Sequence, residues 1–170
     1  RYSHLHGPWA FYRKPRFYLK NRNPGVSLSQ IKAFDPDGII VSDTENFDPI
    51  LRLGKPTLIH AFKTDTHDSP TIIGDSLQTG KMAANHLLGL GFPKFAYCGL
   101  GKYYWSRGRH ASFRDTIVSA GFDASYFELH PQQVKNALPK ELLRLAKWLT
   151  SVIPAGLMAC ADDCSQYIVE

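Results

Sequence analysis

The chain reads as an α/β protein in two lobes, each a parallel sheet covered by helices. Two observations carry that reading: a strand, helix, strand rhythm that recurs in both halves, and strands that are apolar throughout rather than alternating. The segment Asp37-Gly38-Ile39-Ile40-Val41 is β-branched without a polar face, the pattern of a strand buried on both sides of a parallel sheet. At 170 residues, 44% hydrophobic and 21% charged, the chain has the composition of an ordinary folded domain, long enough for one sizeable core or two small ones.

Taken in order, Tyr2 to His6 reads as the close of a helix, with Gly7 at its C-terminal cap and Pro8 behind it. Trp9 to Tyr12 is expected as a strand and Lys14 to Ser27, with its prolines, asparagines and glycine, as a loop. Leu28 to Phe34 is at best a short helix, followed by the Asp37 to Val41 strand. Phe47 to Leu53 is the next helix, stopped by Gly54, and Thr57 to His60 the strand behind it. A polar loop from Thr64 to Pro70 leads to a short strand, Thr71 to Gly74, that delivers Asp75 to the mouth of a helix. The Asp75 carboxylate can accept from free backbone N–H groups there, and Gln78 three residues on completes a capping-box pattern. Leu77, Gly80, Ala84, Leu87, Leu88 and Gly91 then recur at helical spacing, a stripe for packing on a sheet in which Gly80 permits close approach.

Gly89, Gly91 and Pro93 stop that helix, and the second half repeats the rhythm. Strand Phe95 to Cys98 is followed by a loop, Gly99 to Ser106, that carries Tyr103, Tyr104 and Trp105 beside Arg107 and Arg109. Helix Arg109 to Ala120, strand Tyr126 to Leu129, helix Lys140 to Ser151 and strand Gly156 to Cys160 complete it, with Asp162 and Asp163 capping a last helix. The expected division is residues 1–92 for the first lobe and 93–170 for the second. A helix stop without a start at one end, and a helix that ends at Glu170 at the other, read as a piece of a larger protein.

Charge and cysteine usage exclude some functions and leave others. The net charge is +5, and six cations (Arg1, Arg13, Lys14, Arg16, Lys20, Arg22) precede the first acid, Asp35. Interleaved as they are with Trp9, Phe11, Tyr12, Phe17 and Tyr18, they read as a solvated face in preference to a nucleic-acid surface. No apolar run approaches the roughly 20 residues that span a bilayer, which argues against a membrane protein. Cys98, Cys160 and Cys164 read as reduced core thiols, since no histidine completes a metal-ligand spacing. Neither a metal nor a cofactor is expected. Gly99-Leu100-Gly101 lacks the third glycine and downstream acid of a dinucleotide turn, and Ser106 near His110 lacks an orienting acid, so an enzyme is not the expected reading.

Ligands of open parallel sheets sit beyond the carboxyl ends of the strands and at seams between lobes. Asp75, Arg109 and Asp162 fall at such ends, with Trp105 in the loop before the Arg109 helix and Arg109 itself one helical turn before Phe113. Carboxylates accept from paired hydroxyls, a guanidinium fork donates to two oxygens and an indole covers an apolar sugar face, so the set suits a polyhydroxylated ligand. Each residue also has a plainer role open to it: Asp75 and Asp162 as helix caps, Arg109 as the partner of a surface acid, Trp105 as core.

These segments resemble the xylose-operon regulators, bacterial AraC-type activators whose sugar sensor is lac-repressor-like. The resemblance covers nearly the whole chain. It is carried by Tyr2-Ser3 to Trp9, Asp37-Gly38-Ile39-Ile40, Asp75 with Gly91, Phe95-Ala96-Tyr97-Cys98-Gly99-Leu100, Trp105 to Arg109 with Phe113, and Gly156 to Asp162. It implies two lobes of periplasmic-binding-protein type closing on a sugar, an aldopentose such as xylose, with Asp75, Arg109 and Asp162 lining the cleft. It also implies a cytoplasmic homodimer whose DNA contact is made by a downstream helix-turn-helix module. Where such proteins usually carry a small polar residue before the second acid, this chain has Ala161. A periplasmic sugar carrier of the same fold is the alternative; a leader peptide upstream in the parent gene would favour it.

Overall fold

The computed structural model describes residues 5–12, 28–43, 47–61 and 68–169, with the side chains of 131–138 left aside. Two parallel three-stranded sheets are flanked by helices, the α/β class that the sequence predicts. The first sheet follows α1 (Leu28–Phe34) and comprises β1 (Ile39–Ser42), β2 (Thr57–His60) and β3 (Thr71–Ile72) in the order β1-β2-β3, with α2 (Asp48–Leu51) between its first two strands. Ile39 pairs with Thr57, and Ile59 with Thr71. After α3 (Ser76–Gly89), the second sheet is built from β4 (Phe95–Gly99), β5 (Ala124–Glu128) and β6 (Gly156–Ala159), in the order β5-β4-β6. Helices α4 (Tyr104–Ser119) and α5 (Pro131–Val152) make its crossovers, and α6 (Asp162–Val169) follows.

Every residue of β4 is buried, as an apolar central strand between two parallel neighbours must be. Phe95, Tyr97, Cys98, Phe113, Ile117, Leu129 and Leu145 form the centre of the largest core cluster. Burial of Tyr97 holds its phenol above the ordinary tyrosine range, and the hydroxyl donates to the Ser106 carbonyl at 2.9 Å. Cys98, Cys160 and Cys164 are free and buried, as core thiols should be.

Asp75 caps α3, its Oδ1 accepting from the Gln78 N–H at 2.8 Å. Gly80 lets α3 approach α4 closely: a Cβ there would collide with the Arg109 carbonyl and stand 3.0 Å from the Phe113 nitrogen. Helix α3 therefore packs on α4 and β6, elements of the second sheet, although the expected division at 92–93 assigns it to the first lobe. Leu77 is 62% exposed and stands off the packed stripe, which runs through Gly80, Ala83, Ala84, Leu87 and Leu88.

Several expectations about single elements are corrected. Trp9 to Tyr12 is not a strand; Trp9 and Phe11 rings lie 6.0 Å apart and Tyr12 stacks on Phe34 at 5.0 Å. Strand β1 is not buried on both faces, Ile40 being 74% exposed. The aromatic stretch expected as loop opens α4 instead, because Trp105 and Ser106 are drawn into the core on the face that also buries Phe113 and Ile117. Helix α5 begins at Pro131 and runs through Pro139, where the sequence reading starts it only at Lys140. Tyr2 to His4, the cations at Arg1 and from Arg13 to Arg22, the loop Lys14 to Ser27 and residues Thr64 to His67 lie outside the described residues.

Candidate functional site

Strand β6 ends at Ala159, and the Cys160 N–H extends the ladder by donating to the Cys98 carbonyl at 2.9 Å. The Cys160 carbonyl turns away from the ladder and accepts from Nη1 of Arg109, on the second turn of α4. The Arg109 guanidinium lies over the Trp105 ring, its Cζ 5.0 Å from the centroid, as residues four apart on a helix allow. Nε of Arg109 is buried with no acceptor among the described residues. A buried N–H of a charged group left without a partner is costly, so this atom is a donor in want of an acceptor.

Trp105 is 8% exposed and stacks on Tyr103 at 5.4 Å. Between them, Tyr104 donates its hydroxyl hydrogen to the carbonyl of Ala61 at 3.2 Å, just past the end of β2. The first two turns of α4 are thus held from both sides, by the carboxyl end of β2 through Tyr104 and by the carboxyl end of β6 through Arg109. Arg107 is not part of this group: its Nη1 donates to the carbonyls of Gly101 and Lys102, at 2.9 and 3.1 Å, and clamps the preceding loop.

The two aspartates stand at the rim. Asp75 is exposed and used as a helix cap, while the next residue, Ser76, lies against Gly108, where an added Cβ would come within 3.1 Å of the serine Cβ. Asp162 is exposed in the first turn of α6, two residues beyond the carbonyl that Arg109 holds. Neither carboxylate hydrogen-bonds Arg109 among the described residues. The structure joins Trp105 and Arg109 directly and sets Asp162 and Asp75 beside the elements that carry them.

Several contributors escape sequence reasoning. Ser106, fully buried, accepts from the Leu100 N–H at 2.9 Å and fixes the loop after β4. The Cys160 carbonyl carries no side-chain signal at all. Glu141, 1% exposed, accepts from Arg144 Nη2 at 2.6 Å, Arg144 Nε at 3.1 Å and the His130 N–H at 3.0 Å, and Arg144 also donates to the Glu128 carbonyl at the end of β5. The Glu141 and Arg144 spacing of three on a helix is the signal in the sequence that could have found this pair.

A family model described as a periplasmic binding protein-like domain matches residues 84–170. No curated protein matches the chain. Among solved structures, a xylose-binding transcription activator, XylR, superposes with a TM-score of 0.63 at 21% identity, over 78% of this chain and 37% of that one. A LacI transcriptional regulator from a Rhodococcus species gives 0.56 at 17% identity, over 83% and 53%. The Cra transcriptional dual regulator from Pseudomonas putida, in complex with fructose 1-phosphate, gives 0.52 at 16%, over 77% and 50%. The chain thus spans between about a third and a half of the length of these proteins and shares their fold.

Proposed function

The chain belongs to the periplasmic binding protein-like domain family, and from that premise we propose that it is the effector-sensing part of a bacterial transcription regulator that closes on a sugar. The ligand class is an aldopentose, xylose first among the candidates. Asp75 and Asp162 accept from ring hydroxyls, Arg109 donates to a sugar oxygen and Trp105 supplies an apolar face. The observation that carries this reading is Arg109: Nη1 is anchored on the Cys160 carbonyl, the guanidinium is fixed over Trp105, and Nε is left as a buried donor without an acceptor among the described residues. A ligand hydroxyl admitted beside it as the lobes rearrange around the sugar would satisfy it. Of the similar structures, the one named as xylose-binding supports that class, and the one in complex with fructose 1-phosphate supports only a sugar-type ligand.

In this reading the boundary between lobes falls at residues 73–75, ahead of α3, since α3 packs on α4 and β6. The protein works as a cytoplasmic homodimer, and DNA is contacted by a helix-turn-helix module outside residues 1–170. Calorimetry on the full-length protein with xylose, arabinose and glucose tests the proposal. Binding of a pentose in preference to glucose is expected; absence of heat with every sugar would sink it.

A further inference from the structure

Behind the Arg109 anchor lies a pair of thiols that the sensing role leaves unused. Cys160 and Cys164, at the end of β6 and in the first turn of α6, bring their sulfurs to 3.4 Å, and both are almost fully buried. Their surroundings are unequal. The two sulfurs touch each other, and beyond that contact Cys160 is influenced by the Ser106 hydroxyl, the Leu100 N–H and the positive charge of Arg109, Cys164 by the more distant Cys98 and Asp163. Hydrogen bonding from Cys164 first, then from Ser106 and Leu100, holds Cys160 below the ordinary thiol range against its burial. The same contact pushes Cys164 up. Cys160 is thus the more easily ionised of the two and Cys164 the less, the asymmetry of a reactive dithiol.

We propose that Cys160 and Cys164 form a peroxide-sensitive dithiol whose closure to an intramolecular disulfide pulls the Cys160 carbonyl away from Arg109. The Cys160 thiolate attacks one oxygen of hydrogen peroxide: a sulfur–oxygen bond forms, the oxygen–oxygen bond breaks, and the departing hydroxide takes the proton that Cys160 has shed and leaves as water. The Cys164 sulfur then attacks the sulfenic sulfur, forming the disulfide and breaking the sulfur–oxygen bond, and the second hydroxide leaves as water with the Cys164 proton. Two electrons pass from the thiols to the peroxide.

Geometry couples this chemistry to the site. A disulfide brings the sulfurs from the 3.4 Å of the dithiol to about 2.05 Å, a movement that the side chains and backbone of the segment from Cys160 to Cys164 share. That segment holds the carbonyl that Arg109 grips, and Asp162. Cys160 is restrained on its other side by its N–H bond to Cys98, so the backbone share of that movement falls on the Cys160 carbonyl and on the short α6. Oxidant reaches the sulfurs as the first turn of α6 opens locally. A metal site is the poorer reading, because no third His, Cys, Asp or Glu joins the pair among the described residues.

The coupling to Arg109, though not the thiol chemistry, rests on the sugar-sensing proposal. The test treats the full-length protein with equimolar hydrogen peroxide, blocks remaining thiols by alkylation and maps tryptic peptides. Trypsin leaves Cys160 and Cys164 in one peptide that begins at Trp148, and Cys98 in another that runs from Phe95 to Lys102. The expected result is loss of both thiols from the Trp148 peptide, with its mass down by two hydrogens, Cys98 still alkylated, and full reversal by dithiothreitol. Cys164→Ser should instead leave a dimedone-reactive sulfenic acid on Cys160. Retention of both thiols in the native protein, or consumption of Cys98 ahead of them, overturns the proposal. Sugar binding is read separately: the oxidised protein should bind the preferred pentose about tenfold more weakly than the reduced one. A disulfide with unchanged affinity overturns the coupling, whereas reduced protein that binds no sugar removes only the functional reading.

Discussion

Arg109 does two things at once, and replacing it separates them. Arg109→Ala removes a charge-assisted donor to the ligand and should weaken sugar binding by about 2 to 4 kcal/mol, measured by calorimetry. It also strips the buried Cys160 carbonyl of its partner, so the melting temperature should fall as well, by the equivalent of about 1 to 2 kcal/mol. Arg109→Lys keeps the charge without the fork and should recover little of the affinity. Normal affinity in the alanine variant would leave Arg109 as a structural clamp alone. At the other side of the sheet, Glu141 gives a pH signature. The hydrogen bond from Arg144 first, then the His130 N–H and the nearby positive charges, hold its carboxyl below the ordinary Glu range against its burial. The native state therefore binds fewer protons than the unfolded chain across the acid window, so this contribution is complete above the unfolded pKa of about 4.3 and is lost as pH falls through the lower folded value. Glu141→Gln should cost about 1 to 3 kcal/mol at pH 7 and flatten the acid limb of stability between about pH 5 and pH 3, as urea titrations at several pH values would show. An unchanged acid limb would mean that the pair is dispensable.

Helix α3 shows how far its sequence carried the structure. Asp75 as a cap, the stop after Gly89 and the contact allowed by Gly80 were all legible, because each is fixed by local chemistry or by the absence of a side chain. Which sheet α3 would cover was not legible, since its apolar stripe says that it packs and not on what. The start of α4 was misread for a related reason. Two tyrosines and a tryptophan beside arginines look like a contact loop, yet burial of Trp105 and Ser106 outweighs their modest helix propensity. In α5, the helix read from Lys140 begins at Pro131 and passes through Pro139. At the site, side chains at strand ends could be found by pattern, but a main-chain acceptor such as the Cys160 carbonyl has no sequence signature. Gly80→Ala tests the closest of these contacts. An added methyl must push α3 off the Arg109 carbonyl, so the variant should lose about 1 to 3 kcal/mol of stability, despite the helix propensity gained. Because that carbonyl belongs to the residue proposed to hold the ligand, sugar affinity should drop too. An alanine variant as stable as the parent would show that α3 and α4 tolerate wider spacing.

Over the whole molecule, burial is distributed unequally between the two sheets, and this sets which part opens first. The second sheet is centred on β4, buried along its length and packed on by α3, α4 and a cluster that includes Phe113, Ile117, Phe127 and Leu145. Among the described residues, the first sheet contributes only Ile59 as a large fully buried side chain, with Ala61 and Asp43 beside it, while Ile40, Ile72 and Ile73 are about half or more exposed. Local opening free energy follows buried apolar contact, so the two sheets should not exchange amide hydrogens alike. Amides of Ala96 to Gly99, and of Cys160, which bonds Cys98, are expected to exchange slowest, near the rate set by global unfolding. Those of Ile40 to Asp43 should exchange faster by orders of magnitude, with Ile59 and Ala61 between the two groups. Tyr104 is the hydrogen-bonded link from this first sheet to α4, so Tyr104→Phe should speed exchange at Ala61 and leave β4 unchanged. Sugar, if it closes the cleft as proposed, should slow exchange at Ala61 and Cys160 together, because it draws the ends of β2 and β6 onto one ligand. Exchange mapped by mass spectrometry on the full-length protein decides the matter. Equal protection of β1 and β4 would mean that segments beyond those described cover the first sheet, and that its exposed isoleucines are core residues of the complete protein.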